Sequence, residues 1–215
     1  MTKPKTVHGP SYTSRTRPKD KLGRRLGENL WGADKASVNK RPVGPGQHGA
    51  RRKKLTDYGV QMREKQKLKG YYANIGERQF RNIYEKAARM KGDTSELLVG
   101  LLESRLDTVL YRLNIAPTMF AARQLVNHKH VLVNGKPVNI ASYVCEPGDT
   151  IELRDNSKGL ALAIDTVGKM ARQVPEYLTF EPAAFKGTFV RLPTLDDVPY
   201  PVQMNPNLVV EFYSR

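Results

Sequence analysis

Residues 104–153 read SRLDTVLYRLNIAPTMFAARQLVNHKHVLVNGKPVNIASYVCEPGDTIEL, and their patterning decides the fold. Leu106, Val109, Leu110 and Leu113 recur at helical spacing and leave Arg105 and Arg112 on the outer side. Ser104, with Asp107 three residues on, fits the start of that helix. Asn114-Ile115-Ala116-Pro117 ends it. Thr118 caps a second helix in which Ala121, Ala122, Leu125 and Val126 pack, with Arg123 and Gln124 towards the other side. Asn127-His128-Lys129-His130 then leads into Val131-Leu132-Val133, Asn134-Gly135 and Lys136-Pro137-Val138. Asn-Gly between apolar strand residues signals a tight hairpin, because both turn positions take positive φ. Pro137 has no N–H to donate, so its strand belongs at a sheet edge. Glu146-Pro147-Gly148-Asp149 turns the chain into a further strand, Thr150–Leu153. Two helices, a hairpin and a third strand make a module that presents one polar face to a partner. They are too little chain for an enzyme's active site.

Charge suggests the partner. The chain of 215 residues carries 36 Lys and Arg against 21 Asp and Glu, a net of +15. Such an excess draws a protein to polyphosphate or to an anionic surface. No apolar run is long enough to span a bilayer. Residues 1–54 hold fifteen Lys and Arg against three Asp and Glu, so one quarter of the chain holds most of the excess. Residues 104–153 net only +1. Basic arms on near-neutral bodies are a common device for following a phosphate backbone. The first twenty residues are basic and rich in Ser and Thr, as transit peptides are, but they lack the apolar face of a targeting helix. Cys145 is the only cysteine, which excludes an internal disulfide or a multi-cysteine zinc site and fits a reducing, cytosolic setting. Beside Val144 in a strand, it reads as a small buried hydrophobe.

Residues 1–43 have few apolar side chains and no sustained period, so this arm should be largely disordered alone in water. Leu22, Leu26, Leu30 and Trp31 are its one apolar spot, a candidate helical turn or anchor. Arg41-Pro42-Val43-Gly44-Pro45-Gly46-Gln47-His48-Gly49 excludes regular helix and strand. It reads either as a linker or, given Arg51-Arg52-Lys53-Lys54 just after it, as a loop that hugs phosphates. From Thr56 to Arg89 the pattern is helical, with Tyr58, Met62 and Gln66 on one face and Arg63, Lys65, Lys67 and Lys69 fanned around the others. Gly70–Gly76 breaks it, and Phe80, Ile83, Tyr84 and Ala87 resume it. Gly92-Asp93-Thr94-Ser95 stops that helix and caps the next, which carries Leu97, Leu98, Leu101 and Leu102. These stripes read as a small helical core. Tyr71 and Tyr72 suit the core better than base stacking.

The stretch from Ser104 to Leu153 resembles the RNA-binding module of the small-subunit ribosomal protein four family. RPVGPGQHG, REKQKLKGYY, GERQFRNIYEKA, GLLESRLDTVLYRL and the terminal VVEFYSR extend that resemblance nearly end to end. It implies an α+β protein with three parts. These are a basic extension (1–43), a small all-helical domain (44–95 with 201–215), and a second domain (96–200) with an antiparallel sheet packed on helices around the 104–153 module. It implies RNA contact by Arg105, Arg112, Arg123, His128, Lys129, His130 and Lys136. Further contacts are implied from Arg41, Gln47 and His48, from Arg51, Arg52, Lys53 and Lys54, and from the helix bearing Arg63, Lys65, Lys67 and Lys69. The implied function is a non-catalytic constituent of the small ribosomal subunit, in the cytoplasm, that binds 16S ribosomal RNA early, nucleates assembly and influences decoding accuracy. The implied neighbours are other small-subunit proteins, protein five especially, and messenger RNA at the entry side; no cofactor or membrane is implied. The chain departs from many relatives in two ways. It lacks the N-terminal cysteine cluster that binds zinc, which places it in the zinc-free branch, and Met119-Phe120-Ala121-Ala122-Arg123 leaves its second module helix with a single arginine.

Two other readings compete. Ser104-Arg105-Leu106-Asp107 resembles the Arg-Leu-Asp motif of pseudouridine synthases, which would make Asp107 catalytic; here the aspartate stands near a helix start with no catalytic-sized domain left over. A generic nucleic-acid compacting protein would need only the basic arm, whereas most of this chain after residue 55 is patterned to fold.

Overall fold

A computed structural model of the chain describes residues 19–51 and 54–214. Its helices are α1 (Lys19–Leu26), α2 (Ser37–Lys40), α3 (Asp57–Tyr71), α4 (Glu77–Arg89), α5 (Thr94–Glu103), α6 (Leu106–Arg112), α7 (Met119–Asn127), α8 (Asp155–Lys158), α9 (Ala161–Lys169) and α10 (Pro206–Ser214). The strands are β1 (Val131–Val133), β2 (Lys136–Val138), β3 (Thr150–Leu153), β4 (Leu178–Glu181) and β5 (Lys186–Phe189). They form one antiparallel sheet in the order β2-β1-β3-β5-β4, so the fold is α+β.

Local chemistry sets most of the boundaries. Thr56 caps α3, its hydroxyl accepting from Gly59 N–H at 3.2 Å, and Asp93 caps α5, accepting from Ser95 N–H at 3.1 Å. Thr118 caps α7 as the sequence predicts, accepting from Ala121 N–H at 3.1 Å. Ser104 does not cap α6. Its hydroxyl donates to the Gly100 carbonyl at 2.7 Å and closes α5, and Arg105 holds the N-cap position of α6 without a side-chain bond. The hairpin turns at Asn134 (φ 50°) and Gly135 (φ 75°), and β2, which carries Pro137, is an edge strand. Along β1 and β3, Val131, Val133, Ile151 and Leu153 face inward by simple alternation. Gly187 in β5 lets α6 approach the sheet, since a Cβ there would stand 2.6 Å from the Leu113 side chain and 2.8 Å from the Thr179 carbonyl.

The arm expected to be disordered is structured from residue 19 onward. Leu26 and Leu30 are 2% and 0% exposed, Val38 is buried, and the Trp31 indole donates to the Tyr71 carbonyl at 3.3 Å. Each fully buried leucine is worth roughly 1.5–3 kcal/mol, enough for this sparse apolar spot to hold the segment on α3. Residues 1–18, on which the rest of that expectation falls, lie outside the described residues.

The helical stripes fold inward with one exception. Tyr58 and Met62 are 52% and 42% exposed, because α3 turns Gln61, Lys65 and Leu68 inward instead. Tyr71, Tyr72 and Cys145 are buried, and burial pushes the Cys145 thiol far above its usual range. The C-terminal α10 packs on α3 and α5, with Tyr213 stacked on Tyr84 at 4.8 Å and Phe212 against Tyr58 at 5.4 Å. A single apolar core runs from Leu68 on α3 through α5, α6 and the sheet to Val209 on α10.

Candidate RNA-binding surface

The Gly-Pro stretch is a closed loop. Gly44 N–H donates to the Gly49 carbonyl at 3.1 Å and Gly49 N–H to the Gly46 carbonyl at 3.2 Å. No larger residue fits at 49, where a Cβ would lie 1.9 Å from the Gly44 oxygen. Arg24 on α1 pins the loop from outside, its guanidinium donating to the Val43 and Gly44 carbonyls, each at 3.0 Å. Arg41, Gln47, His48, Arg51 and Lys54 are exposed around this tied loop. Arg52 and Lys53 lie outside the described residues. The sequence does not reveal the role of Arg24, since nothing local marks it as a partner for carbonyls some twenty residues away.

The cations of α3 sit differently from the expectation. Lys65 is 7% exposed, bonded to Glu77 at 2.6 Å, and its ammonium lies over the Phe212 ring at 4.2 Å. Lys67 is 3% exposed and reaches Glu28 at 3.0 Å, Glu64 at 2.9 Å and the Gln203 carbonyl at 3.0 Å. Lys69 meets Glu77 at 3.2 Å, and Arg63 donates to the Leu26 carbonyl. Burial alone would raise the Glu77 carboxyl, but hydrogen bonds from Lys65, Tyr213 and Lys69 outweigh it and hold the group below its usual range. These four cations tie α1, α4, α10 and the segment before α10 onto α3. They are internal fasteners, and a phosphate would have to displace carboxylates or carbonyls to reach them.

The arginines of the 104–153 module are likewise turned in. All of α6 is buried, Arg112 included, as is Arg105 at its N-cap; both arginines are 3% exposed, and Arg123 on α7 is 8% exposed. Arg112 grips Glu103 with two bonds, Nε to Oε2 at 2.9 Å and Nη2 to Oε1 at 2.8 Å. Glu103 is fully buried and also accepts from the hydroxyls of Tyr72 and Tyr177, both at 2.7 Å. Burial alone would lower the Arg112 guanidinium, but the Glu103 charge beside it holds it well above its usual value. Arg105 and Arg123 converge on Asp107, each with an Nη2 at 3.0 Å from Oδ2, and Arg123 also donates to the Ala73 carbonyl at 2.8 Å. The three arginines therefore do not form the module's outer face. Asp107 is 2% exposed with its carboxylate taken by guanidinium groups, a poor setting for the catalytic aspartate of the rival reading.

What the module does present lies at the start of the hairpin. His128 and Lys129 are exposed beyond α7, with Lys129 in the left-handed region at φ 62°. Half-buried His130 pairs through Nδ1 with the Ser157 hydroxyl at 2.9 Å. Lys136 is exposed on edge strand β2. Arg154, which the sequence does not single out, donates to the Lys129 carbonyl at 3.3 Å and adds an exposed cation beside it. The outward side of α4 adds Arg78, Arg81, Lys86 and Arg89. Among the described residues, no group of three or more His, Cys, Asp or Glu side chains is placed to hold a metal ion, and no helix is long and apolar enough to cross a membrane.

Comparison with known proteins identifies the family. Residues 14–103 match the ribosomal protein S4/S9 N-terminal domain family, and residues 104–151 match the S4 domain family. A protein of Acidiphilium cryptum named small ribosomal subunit protein uS4 is 61% identical over 203 residues, covering 94% of this chain and all of that protein. Proteins of the same name from Mesorhizobium japonicum and Bartonella quintana are 60% and 59% identical over 204 residues, with the same coverage. At that identity, over nearly its whole length, the chain belongs to the small ribosomal subunit protein uS4 family.

Proposed function

We propose that this protein is a structural, RNA-binding constituent of the small ribosomal subunit. The observation that carries the reading is where its charge remains free. The buried cations are matched by carboxylates or carbonyls, while the Gly-Pro loop, the outer side of α4 and the base of the hairpin keep exposed cations on rigid supports. Such a surface suits a folded RNA recognised by backbone position and shape. Phosphate contacts supply a salt-sensitive grip, and the pinned loop and hairpin fix the register. The RNA is 16S ribosomal RNA, bound early enough to nucleate assembly. A neighbouring subunit protein such as protein five, and messenger RNA at the entry side, complete the surroundings through which it influences decoding accuracy. The helical part (44–95 with 201–215) and the α+β part (96–200) share the task.

Co-sedimentation with purified small subunits through a high-salt wash tests this role. Retention at near-stoichiometric level is expected. Release at the first wash would overturn the structural-constituent reading.

A further inference from the structure

GERQFRNIYEKA forms most of α4, and much of that helix faces solvent. The two acidic residues of the helix are already engaged, Glu77 with Lys65 and Lys69, and Glu85 with Arg81 at 3.1 Å. Arg78, Lys86 and Arg89 are exposed and meet no carboxylate among the described residues. The helix thus carries three uncompensated cations along its solvent side.

Beside them runs a cleft of about 180 Å³. Gln79, Asn82, Ile83 and Lys86, at i, i+3, i+4 and i+7, form one wall. Leu101, Ser142 and Val144 form the other, with Arg105 beneath. Ile83, Leu101 and Val144 supply apolar surface. The amides of Gln79 and Asn82 have no hydrogen-bond partner among the described residues, and each can both donate and accept. A mostly apolar recess with a few free polar groups at its lip has the lining of a ligand site, and its volume, below the roughly 300–1,000 Å³ of drug-sized pockets, limits the occupant to a small group.

We propose that this cleft takes one unstacked nucleotide of RNA. The base would enter against Ile83, Leu101 and Val144, and the Gln79 and Asn82 amides would meet its hydrogen-bonding edge. Its phosphates would lie along the cations of α4. Charge decides the class of occupant: an apolar side chain of a protein partner could fill the recess, but it would leave Lys86 in the cleft wall, and Arg78 and Arg89 on the same helix, unmatched, whereas a nucleotide satisfies both. Sequence-specific RNA recognition commonly works on such splayed-out bases. The cleft lies where the segments 14–103 and 104–151 meet, so one nucleotide there would be held by both. This inference rests on the chain being an RNA-binding protein.

The test is binding of the full-length chain to transcribed 16S ribosomal RNA across a range of salt. Gln79→Ala with Asn82→Ala should weaken binding by about tenfold with an unchanged salt slope, because base-edge contacts carry no counterions. Lys86→Gln should flatten the log–log salt slope by about one. A photoreactive residue in place of Val144 should cross-link to RNA. Parent-like affinity and slope in both variants would overturn the cleft while leaving the RNA-binding role intact. A parent chain with no affinity for the RNA would overturn both. Cross-linking of position 144 to a neighbouring protein instead of RNA, in reconstituted subunits, would also sink the nucleotide proposal.

Discussion

Replacing Arg112 with methionine should unfold this protein more readily and should not change how its binding responds to salt. Arg112 makes two bonds to Glu103, which is 0% exposed and holds two further bonds from Tyr72 and Tyr177. Methionine keeps the volume but leaves the carboxylate buried with only the tyrosine hydroxyls. Removing one partner of a buried pair costs about 3–5 kcal/mol, against a total stability of roughly 5–15 kcal/mol. For a chain of this size that lowers the thermal midpoint by about 6–20 °C. Glu103→Gln should cost a comparable amount, because it strands the guanidinium. The double variant should cost much less than the sum, since the amide introduced by Glu103→Gln can accept from one tyrosine hydroxyl through its oxygen and donate to the other through its NH2, and no charge remains unpaired. Thermal and urea unfolding of the four proteins, followed by circular dichroism, measures that coupling, which should exceed about 2 kcal/mol. Additive effects, or an Arg112→Met midpoint within a degree or two of the parent, would refute the buried-pair account. A flatter salt slope of RNA binding in Arg112→Met, with normal stability, would instead restore the reading of Arg112 as a phosphate ligand.

Other perturbations probe different parts of the surface. Gly49→Ala places a Cβ 1.9 Å from the Gly44 carbonyl and should open the Gly-Pro loop, weakening RNA binding while barely moving the unfolding midpoint; unchanged affinity would mean the loop's shape is irrelevant. Replacing Arg51, Arg52, Lys53 and Lys54 by glutamine should lower the log–log salt slope by up to about four, roughly one for each lost phosphate contact, with filter binding as the assay. Gly135→Val, at φ 75°, should destabilise the hairpin by about 1–2 kcal/mol and increase amide exchange in β1 and β2. The Glu77 carboxyl is held below its usual 4.5, so its contribution to stability is present above that pH and is lost as pH falls through the lower folded value; Glu77→Gln should remove this acid sensitivity from the unfolding midpoint.

The helices, the hairpin and the edge strand are legible because each rests on local chemistry. Thr118 caps α7, Asn134-Gly135 supplies the turn, and Pro137 lies in the edge strand. The arginines are a different matter. A helical wheel puts Arg105 and Arg112 opposite the stripe of Leu106, Val109 and Leu110, and a surface helix would expose them. In the fold α6 is only seven residues long and covered on every side, so its polar flank is buried as well. Such burial comes from the sheet, α5 and distant loops, and leaves no periodic trace. One signal was available. Glu103 and Asp107 stand inside an otherwise apolar run beside those arginines, and carboxylates in such a setting are rarely left unpaired.

The same pairing changes what truncation of the basic N-terminal region can show. Deleting residues 1–54 removes most of the excess charge, and a loss of RNA affinity would seem to assign the grip to a flexible arm. It would also remove Leu26 and Leu30 from the face of α3, the Trp31 bond to the Tyr71 carbonyl, and the Glu28 partner of buried Lys67. Each leucine lost costs about 1.5–3 kcal/mol, and Lys67 would keep only Glu64 and a carbonyl. A truncated chain would therefore lose affinity through a damaged α3 as readily as through missing cations. Charge neutralisation at Arg51–Lys54 separates the two effects, because it leaves Leu26 and Leu30 in place. If that variant keeps the parent's unfolding midpoint and loses salt dependence, the grip is electrostatic; if it keeps the parent's affinity and salt slope, the loss on truncation comes from the damaged α3, and residues 19–54 act chiefly as its brace.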